Sequence, residues 1–359
     1  MDTQAAASPL DREDLRQRVQ KALHAFVSGQ LPALDAISEE LGPLTDALTD
    51  LIAGGKRLRP AFCYWGFRGA GGEDGDEVVV AAAALELFQA CALIHDDVMD
   101  GSDTRRGLPA VHRRFASMHR TESWVGDPEA FGMGAAVLLG DLCLAWSDEM
   151  LSTSGLPADR LLAGHRVYDE MRTELMGGQY LDLLEQARGG GSVERALRVA
   201  RYKSAKYTIE KPLHLGAVLA GAGQDVLDGY SGYGLPLGEA FQLRDDVLGV
   251  FGDPSVTGKP AGDDLREGKR TALVAMALET ADSAQAAMVR RHLGDPHLTP
   301  EGVARLREVI EQTGALRRVE ELISVLMGDA LAALRAAPIE PGARAVLEDL
   351  AVAATARAT

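Results

Sequence analysis

Aromatic residues are scarce in this chain, at 5% of 359 residues, and runs of β-branched residues are few. Strands draw on both, so the scarcity argues against a sheet-based fold. Strand–helix alternation and any repeat of fixed period are also missing. Cysteine occurs three times, at Cys63, Cys91 and Cys143. The odd number and the lack of metal-ligand spacing exclude a disulfide framework and a zinc knuckle, and predict reduced, mostly buried thiols of a cytoplasmic protein. Basic residues are outnumbered, 37 Lys and Arg against 53 Asp and Glu, for a net charge of -16. The sequence pI is near 5.0. That balance argues against nucleic acid as a partner. No apolar run reaches about 18 residues; Val78 to Ile94 comes nearest and is interrupted by Glu86 and Gln89, which predicts no membrane span. The N-terminus carries Asp2, Asp11 and Glu13 in place of a basic and then apolar leader, so no signal peptide is expected. Without a Pro/Ser-rich linker, residues 1–359 are expected to form one domain, with about residues 1–10 as a loose tail.

Hydrophobic residues make up 46% of the chain, and Ala and Leu are abundant, which favours helix. Helical spacing runs through Leu15, Val19, Leu23 and Phe26, with Asp11 as candidate cap, and through Leu44, Leu48, Leu51 and Ile52. Further helices are predicted over 78–94, 131–151, 170–184, 198–218 and 234–250, and from there to about Ala353. Gly134 and Gly140 allow close packing of the second of these.

Two acidic clusters stand out from this background. Asp96, Asp97 and Asp100 follow the apolar run that ends at Ile94, and Asp245 and Asp246 follow a second run. Phe88-Gln89 precedes the first and Phe241-Gln242 the second. On a helix Asp96 and Asp100 lie about 40° apart around the axis. Clustered carboxylates repel unless a cation offsets them, and hard oxygen donors suit Mg²⁺, which also takes water and substrate phosphate. Two such helix ends facing across a cavity would hold a metal–diphosphate cluster.

Cations gather near these clusters. Gly54-Gly55-Lys56-Arg57-Leu58-Arg59-Pro60 combines a flexible backbone, a Lys point charge and an Arg fork, which suits a diphosphate clamp. Arg105 and Arg106 sit in a polar loop just past the first cluster, and Lys203, Lys206 and Lys211 lie farther along. The loop from Thr257 to Thr271 reads as a mobile lid whose Lys259 and Lys269 reach a phosphate; it lacks P-loop spacing. No Ser/His/Asp triad is evident.

Taken together, Gly-Gly-Lys-x-x-Arg-Pro, Asp-Asp-x-x-Asp with Arg-Arg-Gly, Lys-Ser, and Gln-x-x-Asp-Asp with Gly-Lys resemble the trans-isoprenyl diphosphate synthases, most of all the bacterial geranylgeranyl or polyprenyl diphosphate synthases. The resemblance runs from about Gly54 to Thr271. It implies an all-α fold, an isoprenoid-synthase-type bundle around a deep central cavity, and a homodimer. It implies a prenyltransferase of isoprenoid biosynthesis that joins isopentenyl diphosphate to an allylic prenyl diphosphate with Mg²⁺, about three ions per active site. Asp96, Asp100 and Asp245 would bind metal, with Asp97, Asp246 and Lys203 completing the catalytic set. Lys56, Arg59, Gln89 and Arg106 would hold isopentenyl diphosphate, and Arg105, Lys203 and Lys259 the allylic diphosphate. Gln179, Thr208 and Gln242 are further pocket candidates.

Position 249 departs from that pattern: the second motif is expected to end in a third Asp, and Gly249 stands there. Asp253 is too far along a helix to replace it directly, although a turn would bring it nearer. A class I terpene cyclase and an inactive regulatory subunit are the competing readings; the second set of cations argues against the first and the complete first Asp cluster against the second. Product length is expected to follow the helix before Asp96. Short-chain relatives carry an aromatic four or five residues ahead, where this chain has the small Ala92 and Cys91. Phe88, one turn deeper, is the candidate floor and predicts a twenty-carbon product.

Overall fold

The computed structural model describes residues 8–189, 191–253 and 262–355. As the composition predicts, the backbone is helical almost throughout. The first half comprises α1 (Leu15–Asp35), α2 (Gly42–Ile52), α3 (Leu58–Gly69), α4 (Asp76–Asp100), α5 (Val111–Thr121), α6 (Pro128–Ser152) and α7 (Ala158–Arg188). Then come α8 (Val193–Val199), a π-helical segment (Ala200–Glu210), α9 (Lys211–Ala220) and α10 (Gln224–Phe251). The chain closes with α11 (Asp263–Glu267), α12 (Ala272–Thr280), α13 (Ser283–His292), α14 (Pro300–Gln312), α15 (Ala315–Ala336) and α16 (Pro341–Thr355). Among the described residues, extended pairing is confined to a hairpin of Thr104–Arg105 with Leu108–Pro109.

Two apolar clusters share α10. Its first half, with Tyr230, Tyr233 and Leu237, packs into a large core built from α1 to α7, α9 and α16. Its second half, with Leu243, Val247 and Val250, packs against α12, α14 and α15. The buried tyrosine hydroxyls find carbonyl partners, Tyr230 donating to Gly66 (3.0 Å) and Tyr233 to Leu347 (2.7 Å), as buried hydroxyls require. α10 thus ties the two halves together and carries the second Asp pair at its end.

Several local expectations need correction. Asp11 does not cap the first helix. Residues Pro9–Asp14 form a 3-10 turn, Ser8 Oγ accepts from the Leu10 amide (3.4 Å), and Asp11 pairs with Arg16 (3.0 Å). Leu10, assigned to the loose tail, is buried in the large core. The lid loop is partly helical, as α11. The Asp cluster at 96–100 lies inside α4 and forms its last turn. Two helices are long and apolar enough, by length and average composition alone, to cross a membrane: α4, 72% buried over its most apolar window, and α6, 39% buried. An average over a window tolerates the single polar residues that break an uninterrupted run. α4 is a core helix, whereas α6 exposes Phe131, Met133, Val137 and Leu138.

The predicted helix over 198–218 is three pieces, with the π-helical segment in the middle. Glycines from both sides permit its position. A Cβ at Gly178 on α7 would lie 2.4 Å from the Lys203 nitrogen, and one at Gly238 on α10 would lie 2.6 Å from Ala205 Cα. α3 and α9 cross in the same manner: a Cβ at Gly216 would meet the Cys63 carbonyl oxygen at 1.9 Å. Gly140 lies against His95, but Gly134 has nothing within 4 Å, so only one of the two predicted packing glycines acts as one.

Gly216→Ala is expected to lower stability by about 1–3 kcal/mol, because a buried backbone crossing must open. Gly328→Ala, on α15 with nothing within 4 Å, is expected to raise it by about 0.5–1 kcal/mol. Urea unfolding of both variants checks the contrast.

Candidate active site

The last turns of α4 and α10 form two acidic walls at one cavity of about 550 Å³, lined by Asp96 on one side and Asp245 and Asp246 on the other. On α4 the three aspartates have different partners. Asp97 is buried and held by Arg105, whose Nε donates to it at 2.9 Å. Arg105 also lies 3.7 Å from Asp96. The arginine expected to hold a phosphate is thus already paired with carboxylates inside the protein. Asp96 accepts from Lys203 Nζ (3.0 Å) and Gln179 Nε2 (3.1 Å). Burial opposes its charge, but Lys203, Lys269 and Arg105 outweigh that and hold its carboxyl below the usual range. Asp100 is pushed up to about 6, by burial first and by the Asp96 charge second.

Lys203 comes from the π-helical segment and is held between Asp96 and Asp182 of α7 (2.7 Å). Burial opposes its charge, and the two carboxylates still raise its pKa. Asp182, three residues after Gln179, has no role in the sequence reading. Three residues apart, the two share a face of α7, and that spacing is the signal that places Asp182 here.

On α10, Asp246 accepts from Gln242 Nε2 (2.7 Å). Burial, then the neighbouring carboxylates of Asp264 and Asp245, push its carboxyl up to about 8. The space beside Gly249 is filled. A Cβ built there would stand 1.8 Å from Asp264 Oδ2. The carboxylate missing at position 249 is thus replaced in space by one from α11. The sequence signal was the Asp263-Asp264 pair; a search along α10 alone cannot reach it.

Lys269 stands between the walls, with its Nζ 3.8 Å from Asp100, 3.6 Å from Asp264 and 2.6 Å from Glu267. Both Asp100 carboxylate oxygens are buried without a hydrogen-bond partner. Lys269 offsets their charge from 3.8 Å without bonding them, which leaves the oxygens open to a metal ion. Among the described residues no three His, Cys, Asp or Glu side chains converge on one point. The donors come in ones and twos, which fits Mg²⁺ completed by water and phosphate.

A second cavity of about 310 Å³ adjoins the first and shares Lys56, Ser204, Gln242 and Asp245 with it. Here Arg59 donates to Thr208 Oγ1 (2.8 Å) and lies over the Tyr207 ring at 4.1 Å. Gln89 accepts from the Tyr207 hydroxyl (2.5 Å). Arg106 lines the same space while donating to the carbonyls of Leu51 (2.8 Å) and Gly54 (2.7 Å). Lys56, Arg59, Gln89, Arg106, Thr208 and Gln242, picked from separate stretches, therefore meet. Ser204, read from sequence only as the second half of the Lys-Ser motif, lines both cavities. Lys259 lies outside the described residues.

Below Asp96, Ala92 and Phe88 follow at successive four-residue steps. Phe88 is buried against Tyr168 (5.7 Å) and Tyr207 (5.3 Å). Cys91 points elsewhere: its Sγ is 3.8 Å from His95 Nδ1, and His95 in turn contacts the Val137 carbonyl of α6.

The polyprenyl synthetase family model matches residues 42–312. A crystal structure of a geranylgeranyl pyrophosphate synthase from Corynebacterium glutamicum, complexed with isoprenyl diphosphate and magnesium, superposes with a TM-score of 0.93 at 44% identity, covering 96% of this chain and 99% of that one. A geranylfarnesyl diphosphate synthase from Aeropyrum pernix is 34% identical over 80% of this chain and 85% of its own. A geranylgeranyl diphosphate synthase from Mycobacterium tuberculosis is 33% identical over 80% and 77%. With its all-α fold and paired acidic walls, the chain belongs to the polyprenyl synthetase family and is an enzyme of prenyl transfer.

Proposed function

We propose that the protein condenses isopentenyl diphosphate with an allylic diphosphate and releases mainly geranylgeranyl diphosphate. The observation that carries this reading is the pair of joined cavities, one walled by aspartates and one by cations. Two diphosphates need two sites, whereas a cyclase needs one. Asp96, Asp100 and Asp245, with Asp264 in the place left by Gly249, would hold Mg²⁺. Bound there, Mg²⁺ neutralises the charge that develops on a departing diphosphate. Lys203, Arg105 and Lys269 supply fixed positive charge to the same leaving group. Lys56, Arg59 and Arg106 hold the second diphosphate so that its hydrocarbon end faces the first. Below the site, Ala92, Phe88 and the tyrosine rings offer the allylic cation an apolar wall without a competing nucleophile.

For product length, the Asp96 face has no large side chain at Ala92 and closes at Phe88. Eight residues separate Asp96 from Phe88, a rise of about 12 Å. The aromatic contacts of Phe88 support its assignment as floor, and Cys91, turned towards α6, drops out of that surface. We further infer a cytoplasmic homodimer. The exposed apolar side chains of α6, together with three reduced cysteines, support that reading.

Asp96→Ala and Asp245→Ala are expected to reduce turnover about 10²-fold or more and to weaken Mn²⁺ binding measured by electron paramagnetic resonance with inorganic diphosphate present. Near-normal values in both variants would sink the metal assignment. Phe88→Ala should lengthen the product and Ala92→Phe shorten it to fifteen carbons, as read by mass spectrometry from each allylic starter; unchanged lengths would remove the basis of the twenty-carbon reading. Leu138→Asp should halve the mass measured by light scattering, and a wild-type mass would place the interface elsewhere.

A further inference from the structure

Arg57 lies between two residues of the cation loop, Lys56 and Arg59, yet of the three it alone is buried. It is 4% exposed. Its Nη1 donates to Glu86, and its Nη2 to Gln20 Oε1 and the Ile52 carbonyl. Both terminal nitrogens are thus taken up by protein acceptors. Glu86 is equally buried and sits on α4, ten residues before Asp96.

The backbone around Arg57 needs such an anchor. Arg57, the residue just before α3, has φ +57°, a conformation that residues other than glycine seldom adopt. Such a conformation persists only where the surroundings over-determine it. The buried ion pair does so from inside, and Arg106 holds the outer side of the same turn through the Leu51 and Gly54 carbonyls. Gly55, between the two anchors, has φ +126°. A turn with this backbone has little stiffness of its own.

Charge gives a second argument. Lys56, Arg57, Arg59 and Arg106 all line the second cavity, and Glu86 is among the few carboxylates there. A carboxylate inside an anion site opposes binding unless it does something else. Its position on Arg57 supplies the other task.

We propose that Arg57 is a positioning residue and not a diphosphate ligand. Its ion pair with Glu86 fastens the cation loop to α4, which aims Lys56 and Arg59 at the diphosphate of isopentenyl diphosphate and ties that subsite to the helix of the first acidic wall. The inference rests on the reading of the second cavity as the isopentenyl diphosphate site.

Steady-state kinetics with both substrates test it on Arg57→Met, Glu86→Gln and the double variant. Removing one partner strands a buried charge and can unfold the chain; the double variant removes both charges, and circular dichroism reports folding. In every folded variant KM for isopentenyl diphosphate should rise about ten- to a hundredfold, while KM for the allylic substrate stays within about twofold and the double variant is no worse than the worse single one. The sign for Glu86→Gln decides between the alternatives. If Glu86 merely opposes the anion, removing its charge lowers KM for isopentenyl diphosphate, and the inference falls. A wild-type KM in the double variant overturns it as well. Failure of the wild-type chain to condense isopentenyl diphosphate at all would instead overturn the reading of the cavity.

Discussion

Two rows of carboxylates facing each other across a cavity repel, and the cations set between them make this arrangement stable. Lys203 sits on the Asp96 side and Lys269 reaches both walls. The effect is local enough to separate neighbours. Asp96, beside Lys203, is held below the usual carboxyl range, whereas Asp100, buried one turn later, is raised to about 6. A chain of net charge -16 attracts diphosphates by concentrating cations at one place. The two joined cavities are that place.

The precision of those cations comes from packing. Lys203 projects from a π-helical segment, a form that is uncommon and gathers at functional sites. Its neighbours α7 and α10 approach it through Gly178 and Gly238. The same α10 carries Asp245 and Asp246 and belongs to both apolar clusters. A shift of the core is therefore a shift of the second acidic wall. Sites carried on packed helices hold their geometry more closely than sites on loops.

The cation loop shows the complementary solution. Its backbone is irregular, and two arginines staple it, Arg57 from inside and Arg106 from outside. Arg106 lines the cavity as well. Arginine suits such double use because its fork offers several donors in a fixed plane.

Helix content, the two acidic clusters and the main cations were determined by the sequence itself. Composition and 3.6-residue spacing are local properties, and Asp96 with Asp100, or Gly54 to Arg59, are contiguous enough to read directly. Tertiary structure decided what depends on residues distant in the chain. Asp264 fills the space at Gly249 because α11 folds back over α10. Asp182 meets Lys203 across two helices. Arg57 is set apart by buried partners distant in the chain, Glu86 29 positions away and Gln20 37. The π-helical segment was illegible because its residues suit an α-helix equally well, and the wider turn arises where α7 and α10 close around it. Side-chain identity states which charges a chain has; the packing of helices decides which of them a ligand meets and which are already paired.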